Sequence, residues 1–294
     1  YNGDAWGEFP IGFAPVRCSP VYGRRKSVSL TAGRIKAAQM GADMEAILTA
    51  KDLCKTFSNE SVQQHVLKNL NLTVERGEFA VIMGYSGSGK STLLYALSGM
   101  DRPTLGSISY RGEEISKYTN DKLAVFRRKH CGFVFQQNYL NDTMSVLDNV
   151  MVSGFLSGRG RKELAEEAKK LLLAVGLSEN AFYKFPTQLS GGEQQRAAMV
   201  RGIINAPEIL FADEPTGALN SENTRRLLDI LTKIHENGQT IVMVTHDMKA
   251  ARRGSRVLYL KDGVITGELQ LGAYQSGDGE RHERLKKFLE EMGW

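Results

Sequence analysis

The chain has 294 residues, of which 41% are hydrophobic and 24% are charged, and its mean hydropathy is −0.30. This composition is that of a globular protein with a sizeable core, and it excludes disorder or fibrous structure as the main state. No stretch approaches the roughly 20 consecutive apolar residues that a membrane-spanning helix needs. If the protein acts at a membrane, we expect another chain to span it.

The formal net charge of +5 is spread unevenly along the chain. Residues 1–43 hold six Lys or Arg and three Asp or Glu, which leaves a charge of only +2 on the remaining 251 residues. A basic patch on a folded body would indicate nucleic acid or anionic lipid as a partner, but here the excess lies largely in a terminal segment. We therefore expect no nucleic-acid partner.

The first part of the chain differs in pattern from the rest. Residues 1–43 contain three of the seven prolines and show no sustained hydrophobic periodicity. They also lack the long apolar run of a secretory signal peptide. We expect a flexible extension over residues 1–43 and one folded domain over residues 44–294.

Apolar strands that alternate with helix-favouring segments predict an α/β fold. Residues 70–74 alternate in hydrophobicity, and after a turn residues 79–83 are all apolar, as in a central strand covered on both faces. Two further apolar runs, 209–212 and 240–244, flank the helix-favouring segment 222–237. Strands in alternation with helices indicate a mostly parallel sheet.

Two other elements can be predicted from the pattern. Between the first and second apolar runs lies a block whose hydrophobic residues keep helical spacing, and we expect a helical subdomain inserted at about residues 137–200. Near the end of the chain, Asp262 and Gly263 separate the apolar runs 257–260 and 264–265, which predicts a β-hairpin.

Residues 84–91, GYSGSGKS, fit the phosphate-loop pattern G-x-x-x-x-G-K-[ST]. Glycines let successive backbone N–H groups face phosphate oxygens, and the helix that follows adds its positive end. Lys90 would neutralise β and γ oxygens, and the Ser91 hydroxyl can bind Mg²⁺. A chance glycine-rich turn would lack the strand before it and the helix after it. The predicted phosphate-binding residues are Gly84, Tyr85, Ser86, Gly87, Ser88, Gly89, Lys90, Ser91 and Thr92.

An apolar run, residues 209–212, ends in two carboxylates, Asp213 and Glu214. An open α/β sheet places its ligands at the carboxyl ends of its strands, so Asp213 is predicted to hold Mg²⁺ through water. Glu214 can orient or deprotonate a water that attacks the γ-phosphate. An acidic pair at a strand end is by itself more often a cap or a turn, but the phosphate loop in the same chain favours the catalytic interpretation.

The stretch LSGGEQQR at residues 189–196 has two compatible interpretations. Ser190 before Glu193 has the spacing of a helix capping box. A serine and two glycines at a helix N-terminus also form an anion site. The same stretch resembles the signature motif of ATP-binding cassette (ABC) ATPases. The residues that the motif assigns to ATP are Ser190, Gly191, Gly192 and Glu193.

The resemblance to ABC ATPases covers roughly residues 46–270, with the motifs in the family's order. It implies a P-loop NTPase core with a mostly parallel central sheet, an antiparallel β subdomain and the inserted helical subdomain. It also implies ATP hydrolysis, with ATP and Mg²⁺ as cofactors. Since the chain already holds a phosphate loop, its signature motif would complete the ATP pocket of a second copy.

Further site residues follow from the resemblance alone. Phe57 stands where the family keeps an aromatic residue that stacks on adenine, although ordinary packing explains a lone aromatic nearly as well. Gln136 resembles the glutamine that contacts Mg²⁺ and the attacking water, and Gln137 beside it leaves the assignment open by one position. His246 matches the histidine that touches the γ-phosphate. Asn220 stands where the family often has Asp, and its amide can still hydrogen-bond.

The motifs and the resemblance together give the full set of predicted site residues. It is Lys90, Gln136, Glu214 and His246 for catalysis, and Ser91, Gln136 and Asp213 for the metal.

The resemblance also implies partners and a location. ABC ATPases of this kind form a homodimer with two ATPs between the copies and drive a separate transmembrane permease, here docked near residues 139–150. The protein would then lie at the cytoplasmic face of the cell membrane and touch the membrane only through the permease. Residues 131–137, 145–150 and 212–220 are similar to the lipoprotein-releasing, macrolide-efflux and bacitracin-type antimicrobial-peptide ATPases, and GALN at 217–220 most resembles the antimicrobial-peptide branch.

Three alternatives stay open at this point. The first is the ATPase of a lipoprotein-releasing or cell-division complex. The second is a soluble ABC ATPase acting on nucleic acid or ribosomes. Chromosome-type members insert a long coiled coil between phosphate loop and signature, whereas only 105 positions separate Gly84 from Leu189 here, and ribosomal members typically carry two cassettes. The third is a signalling module whose ATP cycle reports the state of a permease.

Overall fold

The structure is a computed structural model that describes residues 45–59 and 62–294. The extension predicted at residues 1–43 lies outside the described residues. The described part of the chain contains ten strands, which are β1 (Ala46–Asn59), β2 (Val62–Glu75), β3 (Phe79–Met83), β4 (Leu105–Tyr110), β5 (Glu113–Glu114), β6 (Cys131–Phe135), β7 (Ile209–Asp213), β8 (Thr240–Val244), β9 (Arg256–Lys261) and β10 (Val264–Gln270).

Helices connect most of these strands. Over residues 45–59 and 62–294 the α-helices are α1 (Lys90–Leu97), α2 (Asn120–His130), α3 (Val146–Phe155), α4 (Arg161–Ala174), α5 (Gly191–Ile203), α6 (Ser221–Glu236), α7 (Met248–Ala251) and α8 (Gly279–Glu291). Two short 3-10 helices, Glu179–Tyr183 and Pro186–Gln188, lie between α4 and α5. None of the helices that the structure describes is both long and apolar enough to cross a membrane.

The larger sheet has the strand order β10-β9-β3-β8-β7-β6. Its strands β9, β3, β8, β7 and β6 run parallel, and β10 pairs antiparallel with β9. Every residue of β3, β7 and β8 is buried, as strands covered on both faces require. The mostly parallel sheet is confirmed, and the hairpin predicted at 257–265 is the β9–β10 pair.

The smaller sheet is antiparallel, with the order β2-β1-β4-β5. Leu48 and Leu70 from this sheet share one hydrophobic core with Leu93 and Leu97 of α1 and with Ile82 of β3. The antiparallel sheet therefore covers the α1 side of the central sheet, which confirms the predicted antiparallel β subdomain.

The other side of the central sheet packs against the helical block. In chain order this block lies between β6 and β7 and contains α3, α4, both 3-10 helices and α5. Leu164 and Leu172 of α4 and Val150 of α3 share a core with Met199 of α5 and Val81 of β3. The helices are thus inserted between two neighbouring strands of the central sheet.

Candidate active site

The loop between β3 and α1 makes a close turn that glycine permits. A Cβ on Gly84 would lie 2.1 Å from the Leu260 carbonyl oxygen on β9, so the loop can leave the sheet this closely only without a side chain. Gly89, just before α1, has a φ of 101°, in the left-handed region that favours glycine. The loop therefore leads directly from a buried strand to the N-terminus of α1, the arrangement that binds anions.

Lys90 is held at this loop by backbone carbonyl groups. Its side chain is buried, and Nζ donates hydrogen bonds to the carbonyl oxygens of Gly84, at 2.8 Å, and Tyr85, at 2.9 Å. Burial lowers the pKa of Lys90, while the nearby carboxylates of Glu214 and Asp213 oppose this change by favouring the charged form. The result is an ammonium group fixed inside the loop.

Ser91, Asp213 and Tyr95 form one hydrogen-bonded group at the end of β7. The Ser91 hydroxyl donates to Oδ1 of Asp213 at 2.9 Å, and the Tyr95 hydroxyl donates to Oδ2 at 2.7 Å. Burial raises the pKa of Tyr95, and the hydrogen bond to Asp213 raises it further. The phenol therefore stays a neutral donor. Because Ser91 and Tyr95 are four residues apart on α1, they lie on one helix face.

The donors in this group suit Mg²⁺. Ser91 and Asp213 supply a hydroxyl and a carboxylate oxygen within hydrogen-bonding distance of each other. Mg²⁺ prefers oxygen ligands, and it usually combines one or two carboxylates with water and substrate phosphates. The residues present therefore fit the ion, with the remaining positions left to water and nucleotide.

Strand register explains why three predicted catalytic residues meet. Gln136, Glu214 and His246 follow the ends of β6, β7 and β8, which are adjacent and parallel. The register pairs Phe135 with Asp213, and Asp213 with Val244. The residues just beyond these pairs therefore emerge side by side at one edge of the sheet.

Glu214 and His246 make direct contact. Nδ1 of His246 lies 3.0 Å from Oε1 of Glu214, and the His246 backbone N–H donates to Oε2 at 3.4 Å. Glu214 has a φ of 45°, an uncommon left-handed conformation for this residue type, and its own N–H donates to the Val244 carbonyl at 3.0 Å. The Glu214 side chain is only 15% exposed, whereas that of His246 is 63% exposed. The sheet thus holds a mostly buried carboxylate against an accessible imidazole.

A single cleft of about 710 Å³ brings most of the predicted residues together. It is lined by Phe57, Gln64, Val66, Tyr85, Ser86, Gly87, Gly89, Lys90, Ser91, Thr92, Gln136, Glu214, His246 and Trp294. The Ser88 hydroxyl in the same loop is buried and has no hydrogen-bond partner in the described part of the chain. Since buried polar atoms are normally paired, this orphan fits a loop built around a polar ligand.

Phe57 and Gln136, like His246, were assigned by resemblance alone, and they line the cleft. Phe57 is 47% exposed, and the ammonium of Lys55 lies 4.9 Å from the centroid of its ring. An aromatic ring that faces the cleft in this way is open to stacking on a base. Gln136 lines both the cleft and a neighbouring pocket with Gly191, whereas Gln137 lines the neighbouring pocket. The roles of Phe57 and Gln136 stay predictions, and the place of Gln136 in the cleft favours it over Gln137 as the predicted glutamine.

The signature residues lie outside the cleft of their own chain. Ser190 caps α5. Its hydroxyl and its backbone N–H both donate to Oε2 of Glu193, at 2.8 Å and 2.9 Å. In return, Ser190 Oγ accepts a hydrogen bond from the Glu193 backbone N–H at 3.4 Å. These contacts lower the pKa of Glu193. Gly191 is exposed, while Gly192 is buried against Asn223. The predicted capping box is present, and the N-terminus of α5 is left open to another molecule.

Comparison with known proteins identifies the family. The sequence matches the family described as ABC transporter over residues 67–217. It is 45% identical over 227 residues to the lipoprotein-releasing system ATP-binding protein LolD of Aquifex aeolicus, a match that covers 77% of this chain and 99% of that relative. The chain belongs to the ABC transporter family. The resemblance drawn from LSGGEQQR is confirmed.

Two other relatives are similar to this ABC chain. The bacitracin export ATP-binding protein BceA of Halalkalibacterium halodurans is 41% identical over 249 residues, which are 84% of this chain and 96% of that relative. The macrolide export ATP-binding/permease protein MacB of Hyphomonas neptunium is 41% identical over 222 residues, which are 76% of this chain but only 34% of MacB. All three relatives fall in the subgroup that the sequence predicted.

Solved structures confirm the fold and the enzyme class. The dimeric structure of MJ0796, a bacterial ABC transporter cassette, has a TM-score of 0.73 and 39% identity, and the match covers 77% of this chain and 100% of that chain. A dimeric post-hydrolysis state of MJ0796 bound to ADP and Pi has a TM-score of 0.73 and 38% identity, with 77% of this chain covered. The chain is therefore an ATP-binding cassette and an ATP hydrolase.

Sequence reasoning missed Tyr95 and the cleft-lining residues Gln64, Val66 and Trp294. Tyr95 contacts Asp213 across 118 positions of sequence, and Trp294 lines the cleft from beyond the end of α8. The spacing of Ser91 and Tyr95 on one helix was the only signal for the first. Nothing in the sequence placed Trp294 near the phosphate loop.

Proposed function

We propose that this ABC ATPase forms a homodimer that encloses two ATPs and drives a separate transmembrane permease. The observation that carries the proposal is the division of the site: one cleft contains the phosphate loop, Glu214 and His246, while Ser190 at the N-terminus of α5 lies outside it. A second copy would bring its own Ser190 and α5 N-terminus to the open side of the triphosphate. The dimeric cassette structures support this arrangement.

In this mechanism the chain's own residues position the triphosphate. The backbone N–H groups of residues 84–91 and the N-terminus of α1 would bind phosphate oxygens, and Lys90 would neutralise the β and γ oxygens. Ser91 and Asp213 would hold Mg²⁺, which when bound neutralises charge on the phosphate oxygens.

Glu214 and His246 would act on the water and the γ-phosphate. The Glu214 carboxylate accepts a hydrogen bond at the cleft and is held by the His246 contact. From there it can orient a water and accept its proton, while the exposed His246 ring can donate to a γ-phosphate oxygen. Gln136 lines the same wall and would contact the ion and the water.

The homodimer is tested with Glu214→Gln. The amide keeps the shape of the side chain but cannot take the proton, so ATP should bind and closed dimers should accumulate. Light scattering is expected to show about twice the monomer mass in ATP and the monomer mass in ADP. A Glu214→Gln protein that stays monomeric in ATP contradicts the proposal.

Ser190→Arg is the matched variant on the other half of the site. An arginine at the exposed α5 N-terminus would occupy the space of the partner's triphosphate, and Ser190 lies outside its own cleft. In the Glu214→Gln background it should abolish ATP-dependent dimers while the affinity for ATP stays within about twofold. If dimers still form, the signature does not complete a partner's site.

A permease partner is supported by an exposed apolar surface beside the helical block. Tyr139, Phe155 and Leu156 are 64%, 45% and 59% exposed, and Tyr139 and Leu156 line a groove of about 690 Å³. Apolar side chains gathered in a surface groove are typical of protein-interaction sites. Docking there would place the ATPase peripherally at the cytoplasmic face of the cell membrane.

The permease is tested by purification of the tagged chain from native membranes, followed by mass spectrometry. Leu156→Glu should lose the associated membrane protein and keep the ATPase activity of the isolated subunit. Leu105→Glu is the control because Leu105 is also exposed, at 67%, but lies on β4 of the antiparallel sheet. If Leu156→Glu and Leu105→Glu recover equal amounts of the membrane protein, the permease contacts a different surface.

For the cargo, we infer antimicrobial-peptide export or resistance, supported by the GALN form at residues 217–220 and by the match to BceA. Deletion of the gene should then lower the bacitracin concentration that inhibits growth. The second candidate is lipoprotein release, which the match to LolD favours. Accumulation of lipoproteins in the cytoplasmic membrane, with bacitracin sensitivity unchanged, would select it.

A further inference from the structure

A second cavity, of about 550 Å³, lies away from the ATP cleft. Its lining includes Val175 at the end of α4, Arg196 of α5, Ile230 of α6, Arg253 after α7, and Tyr274 before α8. None of these residues lines the ATP cleft. The volume falls in the range of roughly 300–1,000 Å³ that small-molecule sites occupy.

Arg196 is a buried cation with few hydrogen-bond partners at the wall of this cavity. The residue is only 5% exposed, and its Nε has no hydrogen-bond partner within residues 45–59 and 62–294. Among the described residues its side chain makes one hydrogen bond, a long one from Nη1 to Asn223 Oδ1 at 3.4 Å. Burial lowers the pKa of Arg196, against the opposing charge of Glu193 and together with the like charge of Arg226. A buried guanidinium is costly unless an anion or a full set of acceptors meets it.

The nearby acidic groups form no ion pair with Arg196 in the described part of the chain. Asp229 pairs with Arg253 at 2.7 Å, and Glu222 pairs with Arg226 at 2.6 Å. The charge of Glu193 favours the charged form of Arg196, but its Oε2 accepts hydrogen bonds from Ser190 instead. Arg253 also lies over the Tyr274 ring, 4.3 Å from its centroid, with its Nε buried and unpaired in the described structure. The cavity walls therefore combine buried guanidinium groups with an aromatic face.

We propose that this cavity binds a small organic anion, whose acidic group is held by Arg196 and whose apolar body lies against Val175, Ile230 and Tyr274. Guanidinium groups bind carboxylate, phosphate and sulfonate groups through paired, charge-assisted hydrogen bonds. Tyr274 and the aliphatic walls favour an aromatic or branched aliphatic body over a bare inorganic ion. The site rests on the cavity alone and does not depend on the proposed dimer or permease.

The test uses naphthalene-2-sulfonate, with saturating ADP present so that the phosphate loop is occupied. Isothermal titration calorimetry of the whole chain should show one site, and naphthalene, which lacks the anionic group, should bind far more weakly. Arg196→Met should reduce the affinity roughly tenfold or more. The same variant should unfold at an equal or higher temperature without ligand, because it removes a buried charge with few hydrogen-bond partners.

Two further variants make the result specific to this cavity. Tyr274→Ala removes the aromatic wall without touching α5 and should also weaken binding. Arg225→Gln is the matched control, because Arg225 lies next to Arg226 on α6 but is 83% exposed and does not line the cavity. Absence of binding to the wild-type chain overturns the proposal, as does equal binding by Arg196→Met and Arg225→Gln.

Discussion

The indole ring of Trp294 stacks on the phenol ring of Tyr85, with the ring centroids 5.0 Å apart and the planes 14° from parallel. The Tyr85 hydroxyl also donates to the Gly293 carbonyl at 2.5 Å, across 208 positions of sequence. Tyr85 belongs to the phosphate loop, and its carbonyl oxygen accepts a hydrogen bond from Lys90. The segment after α8 is therefore attached to the residue that helps to hold the catalytic ammonium.

We expect Trp294→Ala to raise the KM for ATP more than it lowers kcat, because the loop would be less well positioned before ATP binds. Aromatic pairs contribute about 0.5–1.5 kcal/mol, which corresponds to roughly a twofold to tenfold change in KM. Steady-state ATPase assays measure KM and kcat. Trp294→Phe keeps a stacked ring, so its KM should stay close to that of the wild type. In a Trp6→Phe background, the fluorescence of Trp294 should change when ATP is added.

The Tyr95 hydroxyl restricts the Asp213 carboxylate that is predicted to hold Mg²⁺. Tyr95→Phe removes this one hydrogen bond and should lower the free energy of unfolding by about 1 kcal/mol. ATPase titrations should also require several-fold more Mg²⁺ for half-maximal activity, because the carboxylate is then free to rotate. Tyr118→Phe is the control, since its hydroxyl bonds Glu113 on β5, away from the cleft. The same Mg²⁺ requirement in both variants would show that Tyr95 does not position Asp213.

Lys90→Ala should remove tight nucleotide binding and at least about 99% of ATP turnover, because no other cation is held inside the loop in the described structure. Binding of a fluorescent ATP analogue and release of phosphate measure the two effects separately. Circular dichroism distinguishes loss of the cation from loss of the fold, since the ammonium also bonds two carbonyl groups of the loop. Normal turnover in a folded Lys90→Ala protein would refute the phosphate-loop assignment.

The parts of the site that could be predicted are those with a local cause. The runs at 79–83, 209–212 and 240–244 are apolar because those strands are buried on both faces, and the catalytic motifs follow the ends of buried strands. The contacts of Tyr95 and Trp294 could not be predicted in this way. They depend on how α1 and α8 pack against distant segments. The spacing of Ser91 and Tyr95 places both on one helix face, but it does not show that this face meets Asp213.

The pH dependence of stability should include a contribution from His235 of α6. Its ring lies edge-on to Phe79 of β3, with centroids 5.5 Å apart, and its Nδ1 is 3.3 Å from the Gln239 carbonyl oxygen. Burial lowers the pKa of His235 below the ordinary 6.5, although the Gln239 contact and Glu236 act in the opposite direction. Below pH 6.5 the unfolded chain therefore binds a proton that the folded chain does not.

Because of this difference, the contribution of His235 to stability is fully present above pH 6.5 and is lost as the pH falls through its lowered pKa. Thermal unfolding should give a lower Tm at pH 5.5 than at pH 7.5. His235→Gln should reduce that difference, at a cost of about 1 kcal/mol at pH 7.5 from lost packing. Burial also lowers the pKa of His130, so part of the pH dependence should remain. His65→Gln, a substitution on the exposed part of β2, is the control. If the difference in Tm between pH 5.5 and pH 7.5 is the same in His235→Gln as in the wild type, the buried ring is not the source of that difference.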